Sequence, residues 1–314
     1  MMLTIDMIVI NYTSKFRIKG LLIFCMVILY SLLVNRSNLS FDSDNQFRSG
    51  FYKYLFCIAI FSCVMLFDIH IHLTDKTYSG YIPHILTSLR MMKVVACSVT
   101  VDVETSIKSF SLFNTYRDVV KQFVGIHPEA SAREDLERFK EIFRSNLHHI
   151  DGIGEIGLDG TYDVPIKRQE QVFRTMLELA ESSGRPVSIH SRKMVDGVLE
   201  ILSSYHIKSA LLHWFAGSKK QLAKCMDIGL YVSYGPPLVY SEDKTVLLKK
   251  TDRDRFLVET DGPVQYSNCF ENKPAISTSY LVSVIASAAY AIDMTYDETV
   301  ELLQKNSKTY LTYT

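Results

Sequence analysis

From about residue 65 onward the chain alternates between two hydrophobic rhythms. Short runs rich in β-branched and aromatic residues recur at 67–73 (FDIHIHL), 93–99, 122–127, 150–156, 186–190, 208–213, 229–234 and 255–260. Their length and composition predict buried strands. Between them, apolar residues repeat at helical spacing. In 166–184, Val172, Phe173, Met176, Leu177, Leu179 and Ala180 fall on one face, and Gly184 and then Pro186 stop the helix. Capping-box pairs at Ser131/Glu134, Ser218/Gln221 and Thr295/Glu298 predict three more helix starts. Eight β/α units in about 250 residues predict an α/β protein with a TIM-like (β/α)8 barrel. A doubly wound open sheet shares this local rhythm and is the second expectation.

The first 64 residues read differently. Two apolar runs, Leu21–Val34 and Tyr54–Phe67, enclose a polar stretch, and Lys15, Arg17 and Lys19 precede the first. Each run is 14 residues long, short of the roughly 20 that span a bilayer as a helix. Three readings stand: a signal-like or anchoring helix, a membrane hairpin, or a segment outside the natural product, with Met65 as the start. The second run flows directly into the first expected strand, so it does not serve in full as both. The expected organisation is thus an apolar extension, 1–64, and a barrel, 65–314.

Charge is balanced, with 34 basic and 34 acidic residues among 314 and a pI near 7.1. This excludes a tail-driven, strongly basic nucleic-acid binder but leaves room for an enzyme that meets a few phosphates. The six cysteines, at 25, 57, 63, 97, 225 and 269, form no CxxC pair. Neither a zinc knuckle nor a disulfide framework follows, and a reducing, cytoplasmic setting is the default. A genuine 1–64 segment would instead allow membrane attachment.

In a barrel, polar residues at the carboxyl ends of strands converge. Those ends carry His70 and His72, His127, Glu155 and Asp159, His190 and Arg192, His213, and Glu259 and Asp261. His70-x-His72 puts two imidazoles on one strand face about 7 Å apart at their bases. That spacing suits one ion, and it equally suits two ordinary inward histidines. His190 and His213 each read as a core-edge histidine when taken alone, and Asp261 in ETDGP as a turn former. Glu155, inside the apolar GIGEIGLD, is harder to place without a cationic partner, because burying a lone carboxylate is costly. Together, four histidines and two carboxylates exceed one tetrahedral ion. Two divalent ions sharing a carboxylate fit better, and such a pair activates water for in-line displacement at phosphorus.

These residues stand in motifs: DIHIHL (68–73), GIHPE (125–129), GEIGLD (154–159), PVSIHSR (186–192), LLHWFAGS (211–218), YVSYG (231–235) and ETDGP (259–263), with Asn306 near the end. In this order they resemble the TatD family of metal-dependent hydrolases, in the amidohydrolase superfamily, over about four-fifths of the chain. The resemblance implies a barrel and a divalent-metal DNase, of 3′–5′ exonuclease type, acting on single-stranded DNA or 3′ ends. It implies two ions (Mg²⁺, Mn²⁺ or Zn²⁺), the first on His70, His72 and Asp261, the second on His190 and His213, with Glu155 bridging. Glu155 and Asp261 would be catalytic, and His127 and Arg192 would face the substrate phosphate. The same scaffold also serves small esters, lactones and amides, which is the alternative function. A monomer is the default expectation.

Two features stand apart from this pattern. Lys167-Arg168, Arg192-Lys193 and Lys219-Lys220 are the nearest basic pairs to the motifs, and they read equally as solvated helix faces. Trp214, the only tryptophan, follows His213. It reads either as a base-stacking ring or as a packed aromatic at the barrel rim.

Overall fold

The computed structural model describes residues 64–266, 273 and 277–311. Packing divides the chain into compact units at residues 1–62 and 63–314. The apolar run 21–34 lies outside the described residues. So does most of 54–67, whose last two residues, Leu66 and Phe67, open the first strand.

Eight strands form one parallel sheet: β1 (Leu66–Ile71), β2 (Val94–Val99), β3 (Val120–Val124), β4 (Gly152–Gly157), β5 (Val187–His190), β6 (Ala210–Leu212), β7 (Tyr231–Tyr234) and β8 (Phe256–Val258). They are hydrogen-bonded in chain order from β1 to β8. A doubly wound sheet would reverse direction partway, so the barrel expectation holds and the open sheet is excluded. Alternating side chains sort accordingly. Phe67, Ile69, Val95, Cys97, Val99, Phe123, Leu211, Tyr231 and Leu257 fill the barrel interior with Tyr310, whose hydroxyl donates to the Val187 carbonyl at 2.9 Å. Their neighbours, such as Val94, Ala96, Val187 and Ile189, face the helices. Gly152 leaves the space that Phe123 occupies, since a Cβ there would collide with the phenyl ring.

The helices are α1 (Ile82–Met92), α2 (Val103–Phe113), α3 (Leu136–Ser145), α4 (Ile166–Ser183), α5 (Val195–Leu202), α6 (Lys219–Asp227), α7 (Glu242–Leu248), α8 (Ser277–Ile292) and α9 (Tyr296–Tyr310). The capping boxes at Ser218/Gln221 and Thr295/Glu298 open α6 and α9 as expected. The Ser131/Glu134 pair opens no helix. Ser131 closes a short 3-10 turn, and α3 begins later, capped by Asp135, whose carboxylate accepts from the Glu137 and Arg138 amides. Two consecutive amides on a carboxylate outcompete the serine. Asn306 ties α9 to the barrel, donating to the carbonyls of Arg253 at 2.8 Å and Phe256 at 3.0 Å. Among the described residues, no helix is long and apolar enough to cross a membrane.

The seam between β1 and the chain leaving β8 is held by polar groups. The Thr260 amide and hydroxyl donate to the two oxygens of the buried Asp68, at 2.9 and 2.6 Å. The Asp261 amide donates to the His70 carbonyl at 2.9 Å, and the His72 amide to the Gly262 carbonyl at 2.8 Å. Burial pushes the Asp68 carboxyl up to about 7, against the pull of the Thr260 hydrogen bonds.

Candidate active site

Strict alternation would turn His70 away from the barrel axis, since Phe67 and Ile69 already face it. Pairing of β1 with β2 shifts register between Asp68 and Ile71. Beyond the shift, His70 points inward while Ile71 packs outward. Pairing of β4 with β5 shifts likewise between Ile153 and Ile156. Both isoleucines pack against the helices, and Glu155 between them turns to the axis. Such irregularities re-aim single side chains, and here they re-aim two candidate ligands.

Glu155 is the hub. Its Oε1 lies 2.8 Å from His190 Nδ1, 2.8 Å from His213 Nε2 and 3.4 Å from His127 Nε2. Its Oε2 lies 3.5 Å from His70 Nε2 and 3.3 Å from His72 Nε2. Asp261 Oδ1 approaches the same two nitrogens at 3.6 and 3.4 Å. Seven of the eight residues expected from the sequence therefore meet in one cluster. Three sets within it hold ligand atoms within 4.8 Å of one another: His70, His213 and Asp261; His70, His72 and Glu155; and His127, Glu155 and His190. Arg192 is not in the cluster. It is exposed and lines the same cavity, of about 620 Å³, along with Tyr162, Trp214 and Val264.

Polar groups stand behind several of the ring nitrogens. His70 Nδ1 pairs with Ser188 Oγ at 2.8 Å, and its Nε2 is buried without a hydrogen bond. His190 Nε2 pairs with Asp159 Oδ2 at 2.7 Å. Asp159 is fixed in turn by the Thr161 amide and hydroxyl and, through its own amide, by Gln169 Oε1. His213 Nδ1 faces Glu259 Oε1 at 3.8 Å, and Ser233 Oγ donates to the other Glu259 oxygen at 2.5 Å. His127 Nδ1 accepts the Glu129 amide at 3.3 Å, which leaves the ring hydrogen on Nε2.

The electrostatics record this crowding. Burial alone would push the Glu155 carboxyl up, but the His127 and His213 imidazoles outweigh it and hold it well below the usual range. Burial pushes His70 down to about 4, helped by the His213 ring stacked on it at 3.8 Å. His213 goes the other way: Glu155 and Glu259 overcome its burial and raise it well above an ordinary imidazole. His190 is raised by Asp159 and Glu155 against its burial. One carboxylate thus faces five imidazoles, and a cation among them would stand where protons otherwise must.

Sequence reasoning missed Asp68, Ser188 and Ser233. Nothing local marks them, because each acts on a residue brought near only by barrel closure. Asp159 and Glu259 were legible as strand-end carboxylates, but their partners were not.

The model of the family described as TatD related DNase matches residues 67–312. The uncharacterised metal-dependent hydrolase YabD of Bacillus subtilis (strain 168) is 30% identical over 253 residues, covering 78% of this chain and 98% of its own. The 3′-5′ ssDNA/RNA exonuclease TatD of Edwardsiella piscicida is 27% identical over 229 residues, covering 67% and 84%. Among solved structures, the TatD homologue YjjV of Escherichia coli K12 superposes with a TM-score of 0.73 at 23% identity, covering 79% of this chain and 98% of that one.

Proposed function

Since the chain belongs to the TatD-related DNase family of metal-dependent hydrolases and acts on ester bonds, we propose that it is a DNase that removes nucleotides from the 3′ ends of single-stranded DNA with two divalent ions. The observation that carries this reading is the division of Glu155. One oxygen faces His70 and His72 beside Asp261, and the other faces His190 and His213. The name of the Edwardsiella relative supports the nucleic-acid substrate and the polarity.

The donors fit such ions. His70 Nε2 is buried with no hydrogen bond while Ser188 Oγ pairs with its Nδ1, so an unpartnered ring nitrogen points into the cluster. Nitrogen and carboxylate donors together suit Mn²⁺ and Zn²⁺, and Mg²⁺ is the oxygen-preferring member of the candidate set. We assign His70, His72 and Asp261 to one ion, His190 and His213 to the other, and Glu155 to both. Bound there, the ions supply Lewis acidity and a lowered pKa for water. The protein's own groups do the rest. Asp261 accepts a proton from the attacking water at its carboxylate. His127 donates through Nε2, and Arg192 through its guanidinium, to the non-bridging oxygens of the scissile phosphate as negative charge grows there. Asp159 keeps the His190 ring in place through its 2.7 Å hydrogen bond. All these groups lie on one chain, consistent with a monomer.

The test is cleavage of 3′-labelled and 5′-labelled single-stranded DNA by the full-length protein with Mg²⁺, Mn²⁺ or EDTA. Metal-dependent shortening from the 3′ end is expected. Asp261→Asn is expected to lower the rate at least about a hundredfold while leaving the circular dichroism spectrum unchanged. Folded, metal-loaded protein that leaves both labels intact overturns the DNase reading. It would turn attention to small esters, lactones and amides.

A further inference from the structure

The cavity is poor in positive charge. Among the described residues that line it, Arg192 is the only Lys or Arg, against the carboxylates of Asp75, Glu129, Glu155 and Asp261. The whole chain carries no net charge. Divalent ions held by the cluster would meet the scissile phosphate, but beyond them counterion release by Lys and Arg side chains, which dominates most nucleic-acid binding, is weak here. A substrate strand needs another source of affinity, and on unpaired DNA that source is the π-face of the base.

Trp214 is built to offer one. It follows His213 directly and lines the cavity, half-buried. One indole face stacks on Tyr266, with centroids 5.3 Å apart and planes 18° apart. Tyr266 packs in turn against Tyr280 at 5.9 Å, and its hydroxyl is anchored on the Thr260 carbonyl. Trp214 sits at φ 41°, in the left-handed region that a bulky side chain rarely adopts. Such outliers persist where the surroundings enforce them, and they cluster at functional sites. Two groups do so here: the Trp214 amide donates to Ser233 Oγ at 3.2 Å, and Lys244 Nζ donates to the Phe215 carbonyl. The backbone is thus held in a costly shape that lays a rigid, backed indole beside the metal-ligand cluster.

We propose that the Trp214 indole is a stacking platform for the unpaired base adjoining the scissile phosphate. The subsite selects strands with an intact, unstacked base at the end being cut. This rests on the DNase reading for its substrate but not for the stacking itself.

Because Trp214 is the only tryptophan in the chain, selectively excited tryptophan fluorescence of the full-length protein reports on this position alone. Thymidine 5′-monophosphate is titrated beside 2-deoxyribose 5-phosphate, which lacks the base, with Mg²⁺ present. Saturable quenching by the nucleotide alone supports the platform. Equal response to both, or to neither, overturns it. In parallel, cleavage of a dT oligonucleotide is compared with the same oligonucleotide made abasic at its 3′ terminus. Trp214→Ala is expected to raise KM about tenfold on the intact strand, to leave kcat within about twofold, and to change nothing on the abasic one. Trp214→Phe is expected to recover most of the loss. An equal loss on both strands, or none, makes Trp214 a packing residue and overturns the proposal. Cleavage without base-dependent quenching leaves the DNase reading standing and removes the platform. Base-dependent quenching without any cleavage of DNA keeps the platform and removes the DNase reading.

Discussion

At the scale of single residues, the site is a set of imidazoles aimed by partners that do not themselves face the substrate. Asp159 is the clearest case, because its carboxylate holds His190 Nε2 and so leaves Nδ1 toward Glu155. Asp159→Ala is expected to weaken Mn²⁺ binding about 10–100-fold with little change in fold, as read by calorimetric titration. Gly157 acts through space rather than hydrogen bonds. It sits at φ 135°, and a Cβ there would collide with the His190 carbonyl. Gly157→Ala is therefore expected to cost more than about 1 kcal/mol in denaturant unfolding and to impair metal binding as well. The candidate ligands were legible in the sequence only as a set: each alone reads as a core-edge histidine or a turn former, and it is their recurrence at the same end of several strands that points to one centre. Asp68 and Ser188 were not. Each is an ordinary polar residue until closure supplies Thr260 to one and His70 to the other.

At the scale of elements, all eight strands were legible from their β-rich runs, though several ends were not. The run at 122–127 predicts a strand reaching His127. The observed β3 stops at Val124, and His127 caps a 3-10 turn instead. Apolar composition does not distinguish the end of a strand from a buried loop. Nor does it reveal the shifts in β1 and β4, which arise from pairing with neighbours and bring both His70 and Glu155 to the axis. The α2 cap was missed for a simpler reason: Asp102 forms its box with Thr105, where the pattern sought Glu or Gln. The seam offers a test at this level. Asp68→Asn replaces one of two buried acceptors by a donor and leaves a Thr260 donor unpaired. A loss of about 1–3 kcal/mol is expected in thermal or denaturant unfolding. Activity should fall too, since Asp261 adjoins the disturbed residue.

At the scale of the whole molecule, the described barrel is tied down from its first residues. The Met65 amide donates to Gln304 Oε1 on α9 at 2.7 Å, and the family match starts at residue 67. A chain trimmed to 65–314 is expected to keep the metal-dependent activity of the full-length protein, measured on the same labelled DNA. An activity lost on trimming and restored by the longer chain would give residues 1–64 a direct part. Metal bound only by the folded barrel also stabilises it, by about 2.7 kcal/mol at a hundred times its Kd, so EDTA should lower the melting temperature and added Mn²⁺ restore it. The seam bears on something else, the order of events during synthesis. Asp68 and Thr260 are 192 positions apart, and Asp261 reaches His70 and His72 only after both have met. A growing chain that has emerged as far as the residue after β6 already carries Glu155, His190 and His213, yet it has no Asp261 to set against β1. A polypeptide released before residue 261 is therefore expected to lack the metal-dependent hydrolysis of the whole chain, as measured with a chain ending at Val258 on the same labelled DNA.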